Sequence, residues 1–411
     1  MKLNYIQMFA ACALSVLTMG CKAEFENGVN DIDSWEVGAE YTPSLVHPGV
    51  LHTQEDIEHI RDLVDRQKEP AYGIFLKMRE DWKAKSDYSM NGPYEVIARD
   101  GAYAANKVNA ERDFDAIYLN SVMWMITQDE AHARKALEIM LAYAGTLKDI
   151  DGNDTALMAG LEGIKIVYGL EMLSHTYHQS EKYPDGITDE QIERISTMLR
   201  NVFLPVWEEF YASDPNTNGN WGLHVTKSYM AAAILWDDVE MYRKCVNFYL
   251  YAYDNGTIAH YIDGDTGQCQ ESGRDQQHTV LGIGALSAIC EIAWKQGNDL
   301  YSAYDNRVLK GYEYTVKYNL GYDVPFKTWT DVTGKYSNWT EISAVTKGEN
   351  DGVDTERGQC WQPVFYMAYN HYVNRRGLSM PYTAELLETY VEDEYDGGHP
   401  SFGPLLFNDL D

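Results

Sequence analysis

The sequence predicts an all-α protein, an incomplete (α/α)6–7 toroid or barrel whose long polar loops lie on one rim. Segments that are apolar on nearly all sides alternate along the chain with segments that are apolar along one stripe only. The first kind is typical of a buried helix, and the second is typical of a helix that covers it from outside. No run with a two-residue apolar alternation is long enough for a main sheet. An irregular helical bundle or solenoid is the alternative.

The first helix pair is predicted at residues 54–67 and 70–85, because Thr53 opens a cap-like polar turn and Pro70 suits a first helical position. A polar stretch without a helical period follows at 86–109. The ring is then predicted to contain buried helices at 110–127, 156–178, 222–236 and 276–296, outer helices at 130–146, 189–211, 239–254 and 300–318, and closing helices at 356–374 and 382–391. The stretch 319–352 has room for a short hairpin.

The links between these helices predict where a site lies. Links from a buried helix to its outer partner are mostly short, such as Gln128-Asp129, whereas links from an outer helix to the next buried one are long and polar. The long links are 148–155, 213–221, 260–275 and 319–356. Because consecutive helices run antiparallel, these links share one rim, above the N-termini of the buried helices. Loops on a rigid scaffold often carry binding groups, and helix N-termini favour anions.

Residues 1–20 are a predicted lipoprotein signal peptide, because the basic Lys2 is followed by a short apolar run that ends before Cys21. That run is too short to cross a bilayer as a helix. Residues 21–45 are polar and are predicted to form a flexible tether, and residues 46–411 a single α/α-toroid domain. We expect an exported protein, lipid-anchored to the outer membrane through Cys21 and periplasmic or at the cell surface. Ordinary signal cleavage is the alternative.

The chain is strongly acidic, with 33 lysines and arginines against 63 aspartates and glutamates and a net charge of −30. Nucleic-acid-binding proteins normally show a basic face, so we expect no nucleic-acid partner. The cysteine spacings match no zinc pattern, and His175 and His178 on an apolar helix are assigned to core packing. We expect no metal and no cofactor, and the sequence leaves disulfide bonds and buried free thiols equally open.

Amide, charged and imidazole side chains cluster at the start of the helix predicted at 276–296 and on the neighbouring rim loops. The predicted catalytic residues are Asn220, His224, Tyr261, Arg274 and His278, and the predicted substrate-binding residues are Trp221, Gln270, Glu271, Gln277, Arg357, Trp361, Lys107 and Arg112. Arg274 and His278 are four residues apart, so a helix places them on one face. The structural alternatives are a helix cap for Asn220, core packing for the histidines, and an ion pair for Arg274.

These side chains suit the cleavage of a uronic-acid polymer. A lyase removes the proton next to the sugar carboxylate and expels the 4-linked sugar, which requires that the carboxylate be neutralised. Asn220 and Arg274 fit the neutralising role as electrostatic stabilisers. His224 and His278 are candidates for the base, and Tyr261 is the candidate for the acid.

From about Val46 to Thr383 the chain resembles the α/α-toroid polysaccharide lyases of the alginate lyase superfamily, in their exported Gram-negative form. The resemblance rests on NGNWGLHVTKSYMAAA (218–233), on the stretch 263–301 with its ESGRDQQH, and on WQPVFYMAYNHYVNRRG (361–377). It implies β-elimination of a β-1,4-linked uronan, alginate or glucuronan, with unsaturated uronate ends and no cofactor. It also implies an asparagine–arginine neutralising pair and a histidine–tyrosine acid–base pair. The family pattern has a histidine directly after the asparagine, where this chain has Trp221.

Two other function classes fit the same sequence. A glycoside hydrolase on the same toroid would use paired carboxylates, for which Asp263, Asp265 and Asp275 are available beside Glu271. A non-catalytic glycan-binding lipoprotein would stack sugars on tryptophans such as Trp329. Formation of an unsaturated, ultraviolet-absorbing product separates a lyase from both. We expect a monomer whose partner is an acidic polysaccharide.

Overall fold

The computed structural model of the protein describes residues 45–344 and 360–410. The signal peptide, Cys21 with nearly all of the tether, and Arg357 lie outside the described residues, so these assignments stay predictions. In the described part, no helix combines the length and the hydropathy that a membrane span requires. The cysteines of that part, Cys245, Cys269, Cys290 and Cys360, are buried free thiols.

Helices dominate the described chain. The first half contains α1 (Gln54–Asp65), α2 (Ala71–Glu80), α3 (Lys107–Thr127), α4 (Glu130–Ala144), α5 (Thr155–Thr176), α6 (Asp189–Met198), α7 (Leu204–Ala212) and α8 (Gly219–Leu235). The second half contains α9 (Val239–Tyr251), α10 (Ile258–Tyr261), α11 (Gln276–Lys295), α12 (Ala303–Asn319), α13 (Phe365–Tyr369), α14 (Pro381–Leu387) and α15 (Gly403–Leu406). Short 3-10 turns lie at Trp82–Ala84, Gly101–Asn106 and Leu300–Ser302. The strands β1 (Val96–Ala98) and β2 (Asp149–Asp151) pair in parallel, with Ile97 opposite Ile150.

The predicted α/α toroid is confirmed. The inner helices α3, α5, α8 and α11 pack side by side in chain order, and α4, α7, α9 and α12 pack on them from outside. The inner helices are buried on nearly every face, as α8 is from Gly222 to Ile234. The outer helix α4 instead buries one stripe, which includes Ala133, Leu137 and Met140. This difference in burial is the one that the apolar patterns predict.

Close contact between two inner helices depends on a glycine. A Cβ atom on Gly160 of α5 would lie 2.7 Å from the backbone of His224 on α8, so a larger residue would push the two helices apart. The short links that turn the chain outward use the left-handed backbone region, with φ of 56° at Gln128 after α3 and 52° at Asp237 after α8. These links keep each inner helix next to its outer partner.

Several predicted elements differ from the structure. The single outer helix predicted at 189–211 is divided, because Pro205 lacks a backbone N–H and the chain passes through a π-helical turn, Leu199–Phe203, between α6 and α7. The helix predicted at 356–374 begins only at Phe365 in the described part and continues as a π-helical turn, Asn370–Arg375. The hairpin predicted within 319–352 is wrong for its described residues, since 320–344 form no strand.

A non-helical segment, residues 395–400, crosses the inside of the ring. The hydroxyl of Tyr118 on α3 donates to the carbonyl of Pro400 at 2.8 Å, and Nζ of Lys227 on α8 donates to the carbonyl of Gly398 at 3.0 Å. The hydroxyl of Tyr395 donates to Asp115 on α3 at 3.1 Å. The segment therefore forms the floor of the space that the inner helices enclose.

Candidate active site

An open cleft of about 460 Å³ lies on the floor segment, at the N-terminal halves of α5 and α11. Leu157, Leu161 and Leu281 supply its apolar surface. Its polar lining consists of Arg99, Glu111, Asp115, Glu162, Lys165, Gln277, His278, Gln362 and Asp396. The cleft thus contains titratable groups of both signs together with an imidazole, which is typical of an acid–base site.

His278 is held in the cleft by Asp275, the residue that caps α11. One carboxylate oxygen of Asp275 accepts the backbone N–H of His278 at 2.7 Å, and the other lies 2.7 Å from Nδ1 of the imidazole. A carboxylate only accepts hydrogen bonds, so Nδ1 carries the proton and Nε2 is left as an acceptor. The side chain is 24% exposed, which leaves Nε2 able to take a proton from a bound molecule.

Opposite charges line the α5 side of the cleft. Nζ of Lys165 donates to Asp115 at 2.7 Å and to Glu162 at 2.8 Å, and Nζ of Lys83 donates to Asp115 at 3.0 Å. Burial raises the pKa of Glu162 well above that of an ordinary glutamate, against the attraction of Lys165. Burial favours the neutral form of Lys165, but the charges of Asp115 and Glu162 outweigh it and raise the pKa of the ammonium group. The Glu162 carboxyl is therefore more easily protonated than that of an ordinary glutamate.

Arg99, just after β1, is a further cation of the cleft. Its NH1 lies 3.4 Å from Glu111, and its buried Nε lies 3.9 Å from Asp154 without forming a hydrogen bond. A guanidinium group can bind a carboxylate through two N–H donors in one plane. The arginine is thus placed to receive an anionic group in the cleft.

Most of the predicted catalytic residues converge on Glu271, but behind the cleft. The Glu271 carboxylate accepts from Asn220 N–H at 3.2 Å and Asn220 Nδ2 at 2.7 Å, and also from Tyr261 at 3.1 Å and Arg274 at 2.9 Å. Asn220, Tyr261 and Glu271 are fully buried, whereas the Arg274 side chain is 24% exposed. Asn220 and Tyr261 therefore lie beneath the rim rather than exposed on it, because their donors bind the buried carboxylate of Glu271.

His224 is also buried rather than on the rim. Its Nδ1 lies 3.1 Å from Nζ of Lys227, and its ring centroid lies 6.1 Å from that of His399. Burial, and then the neighbouring Lys227, lowers the pKa of His224 well below its ordinary value, so the ring is neutral. Its Nε2 has no hydrogen-bond partner in the described chain.

The model of one family, described as alginate lyase, matches residues 68–324, more than half of the chain. The chain belongs to the alginate lyase family. As a member of that family it is a polysaccharide lyase. Comparison with curated proteins gives no match.

Solved structures of an alginate lyase share the fold of this family member. Alginate lyase A1-III from Sphingomonas species A1 is similar with a TM-score of 0.61 at 12% identity, over 94% of this chain and 99% of that one. A histidine-to-alanine variant of A1-III, complexed with a tetrasaccharide, gives a TM-score of 0.62 at 13% identity over 92% and 98% of the two chains. A tyrosine-to-phenylalanine variant with a tetrasaccharide gives 0.59 at 13% identity over 92% and 99%.

The other predicted binding residues of this lyase occupy different surroundings. Gln277 lines the cleft, and Trp361 is half-buried beside Gln362, which also lines it. Gln270 is buried, its side chain bonds the backbone of Gly219 and Thr217, and it does not line the cleft. Trp221 is half-buried against the core, Lys107 lies 3.8 Å from Glu111, and Arg112 is exposed over Trp82. None of these last three lines the cleft.

Several groups of the lyase cleft were not predicted from the sequence. Glu162 and Lys165 lie inside a helix whose apolar sequence predicts a buried helix. Opposite charges three residues apart in such a helix are nevertheless a signal for a polar site. Arg99 and Asp396 follow no helical or strand pattern, so nothing in the sequence distinguishes them. His175 and His178 are exposed rather than packed in the core. His178 contacts Asp189 at 2.9 Å.

Proposed function

We propose that this lyase cleaves a β-1,4-linked uronic-acid polymer, alginate or glucuronan, by β-elimination. The observation that carries the proposal is the Asp275–His278 pair, whose imidazole faces the cleft with Nδ1 2.7 Å from the carboxylate. The similar A1-III structures with a tetrasaccharide support a carbohydrate ligand for this fold. The position of the cleft at the N-terminus of α11 favours an anionic sugar, since a helix N-terminus carries partial positive charge.

In the proposed reaction Nε2 of His278 accepts the proton from C5 of the uronate. The electron pair of the broken C5–H bond forms the C4=C5 double bond, and the bond from C4 to the bridging oxygen breaks with its electrons on the oxygen. Glu162 is suited to protonate that oxygen, because burial raises the pKa of its carboxyl. The products are an unsaturated uronate at a new non-reducing end and a sugar with a free anomeric hydroxyl group, which is a new reducing end.

The negative charge that develops next to the substrate carboxylate requires a cation. Arg99 fits this role, because it lines the cleft and its side chain is 21% exposed. Arg274 lies in the turn just before Asp275, the cap of α11, and not on the helix as predicted. It is a second cation at this rim, although its NH1 is bound by Glu271 and Asn218. The acidic lining is partly neutralised already, since Asp115 is held by Lys83 and Lys165.

The test is to incubate the protein with poly-mannuronate, poly-guluronate, glucuronan and a neutral glycan. We expect ultraviolet-absorbing unsaturated ends from at least one uronan, and none from the His278→Asn variant. New reducing ends without that absorbance would indicate a hydrolase, and binding without any cleavage would indicate a glycan-binding protein. Cleavage of the neutral glycan alone would contradict the proposal.

We also propose that the lyase is exported and held at the outer membrane by a lipid on Cys21. The support is the sequence of residues 1–21, with its basic start, short apolar run and cysteine. Growth with a radiolabelled fatty acid should label the wild-type protein and leave the Cys21→Ser variant unlabelled. Equal labelling of both proteins would contradict lipidation at this residue.

A further inference from the structure

Three side chains of the kind that bind transition metals meet at the end of the ring opposite the cleft. One ligand atom each from His47, Glu171 and His175 lies within 4.8 Å of the others. Glu171 and His175 are near the end of α5, whereas Glu162 lines the cleft from the first half of the same helix. Nine residues of helix separate Glu162 from Glu171, a rise of about 14 Å. The cluster is therefore a different place from the proposed catalytic site.

Glu171 is the buried member of the cluster, and one of its carboxylate oxygens accepts no hydrogen bond from the described residues. Its Oε1 accepts the backbone N–H of Gly49 at 2.8 Å and lies 3.4 Å from Nδ1 of His47. Its Oε2 is buried and has no hydrogen-bond partner in the described residues. The ion pairs of the described chain give Glu171 a histidine neighbour and no lysine or arginine. A buried carboxylate oxygen without a donor is costly unless it meets a proton or a cation.

Asp237 fixes the orientation of His47. Its Oδ1 lies 3.0 Å from Nε2 of His47, on the opposite side of the ring from the nitrogen that faces Glu171. Histidines that bind metals usually donate their other ring N–H to a carboxylate, which leaves the facing nitrogen with its lone pair. The Asp237–His47 contact thus prepares Nδ1 as a ligand atom on the side of Glu171.

We propose that His47, Glu171 and His175 bind one Zn²⁺ ion, with Asp237 as the positioning residue for His47. Two imidazoles and one carboxylate suit zinc better than calcium or magnesium, which prefer oxygen ligands throughout. Three protein ligands leave a fourth position of the tetrahedron for water, and His175 is exposed, so water can reach it. The ion would fasten the segment before α1 to the end of α5.

Binding requires only a small movement. Zinc bonds to nitrogen and oxygen of about 2.0–2.2 Å place tetrahedral ligand atoms about 3.4 Å apart. The rings of His47 and His175 are stacked, with centroids 4.6 Å apart and planes at 16°, and the ligand atoms lie within 4.8 Å of one another. Rotation of the exposed His175 side chain, on the last turn of its helix, can close this gap while Glu171 stays in place.

The experiment is calorimetric titration of Zn²⁺ into tag-free, chelator-treated protein that carries Cys21→Ser, so that no N-terminal thiol competes. We expect one ion per chain, and a d–d absorption band of tetrahedral type when Co²⁺ replaces Zn²⁺. His175→Ala should weaken binding at least 100-fold, and Asp237→Asn about 10- to 100-fold. The matched control is His178→Ala, three residues further along and also exposed, which should change the Kd less than twofold.

Thermal unfolding gives an independent readout. The Tm of the Cys21→Ser protein and of its His178→Ala form should rise when Zn²⁺ is added, because a ligand that binds only the folded state stabilises it. The Tm of the His175→Ala form should not rise. Absence of saturable binding, or equal affinity in the His175→Ala protein, would overturn the proposal. Because His278 and Glu162 are untouched, loss of zinc binding and loss of lyase activity can be told apart.

Discussion

Replacing Asp275 by asparagine separates the two tasks of this carboxylate. One oxygen caps α11 by accepting the His278 N–H at 2.7 Å, and the other faces Nδ1 of the imidazole at 2.7 Å. Asparagine is as good a helix cap as aspartate, so α11 should keep its first turn. An amide nitrogen facing Nδ1 would instead donate to it, so that the ring proton moves to Nε2. The base of the proposed reaction would then be blocked while the fold persists.

The expected effect on rate is large and the effect on stability is small. Loss of one general base typically costs 10²–10⁴-fold, which corresponds to a barrier about 2.7–5.4 kcal/mol higher at 1.36 kcal/mol per factor of ten. We therefore expect kcat of Asp275→Asn to fall at least about 100-fold. The free energy of unfolding should change by about 1 kcal/mol or less, because the cap is kept.

The assay is the initial rate of unsaturated-end formation on the preferred uronan, together with urea unfolding of the same samples. The matched control is Asp238→Asn, since Asp238 caps α9 by accepting the Met241 N–H at 2.9 Å and its cap contact involves no histidine. The kcat of the Asp238→Asn variant should stay within about twofold of the wild-type kcat. A wild-type kcat for Asp275→Asn would refute the role assigned to the Asp275–His278 pair.

Three further predictions concern buried carboxylates. If Glu162 is the acid, its raised pKa makes the lyase rate fall at alkaline pH, and Glu162→Gln should remove this fall. Glu111→Gln, in the same cleft, should retain it. Identical pH profiles of the rate for the two variants would contradict the acid role of Glu162. Glu271→Gln should lower the free energy of unfolding by about 2–3 kcal/mol in urea melts, because it weakens a buried hub that holds Arg274; a change below about 0.5 kcal/mol would contradict that reasoning. Burial raises the pKa of Glu392 to about 7, so the folded state binds its proton more tightly than the unfolded state, and stability should fall as pH rises from about 4.5 to 7. Thermal melts across that range should show a flatter dependence for Glu392→Gln, and an unchanged slope would contradict the assignment.

The ring was predictable because burial differs between inner and outer helices, and apolar patterns record burial directly. Short links such as Gln128-Asp129 also determine which helices are neighbours, since a two-residue turn leaves no room for a third helix between the two that it joins. Pro205 could have predicted the interruption of the outer helix, because proline cannot donate the N–H that a continuous helix requires. The short pairing of β1 with β2 was out of reach, because three residues are too few to show an alternation.

The site was predictable only where local chemistry decides the position. Asp275 is a recognisable helix cap, so His278 and Gln277 fall at the start of α11 as predicted. That Asn220 lies against Glu271 depends on a contact between residues 51 positions apart, and no local pattern records it. The floor segment likewise has no period of its own, so its place inside the ring appears only in three dimensions.

The floor segment also makes the shape of the cleft depend on distant parts of the sequence. Tyr118 and Lys227 bind carbonyl groups that lie 282 and 171 positions further along the chain. A change that displaces residues 395–400 would therefore alter the cleft even if the helices of the ring stay packed, because Asp396, Gly397 and Gly398 line it.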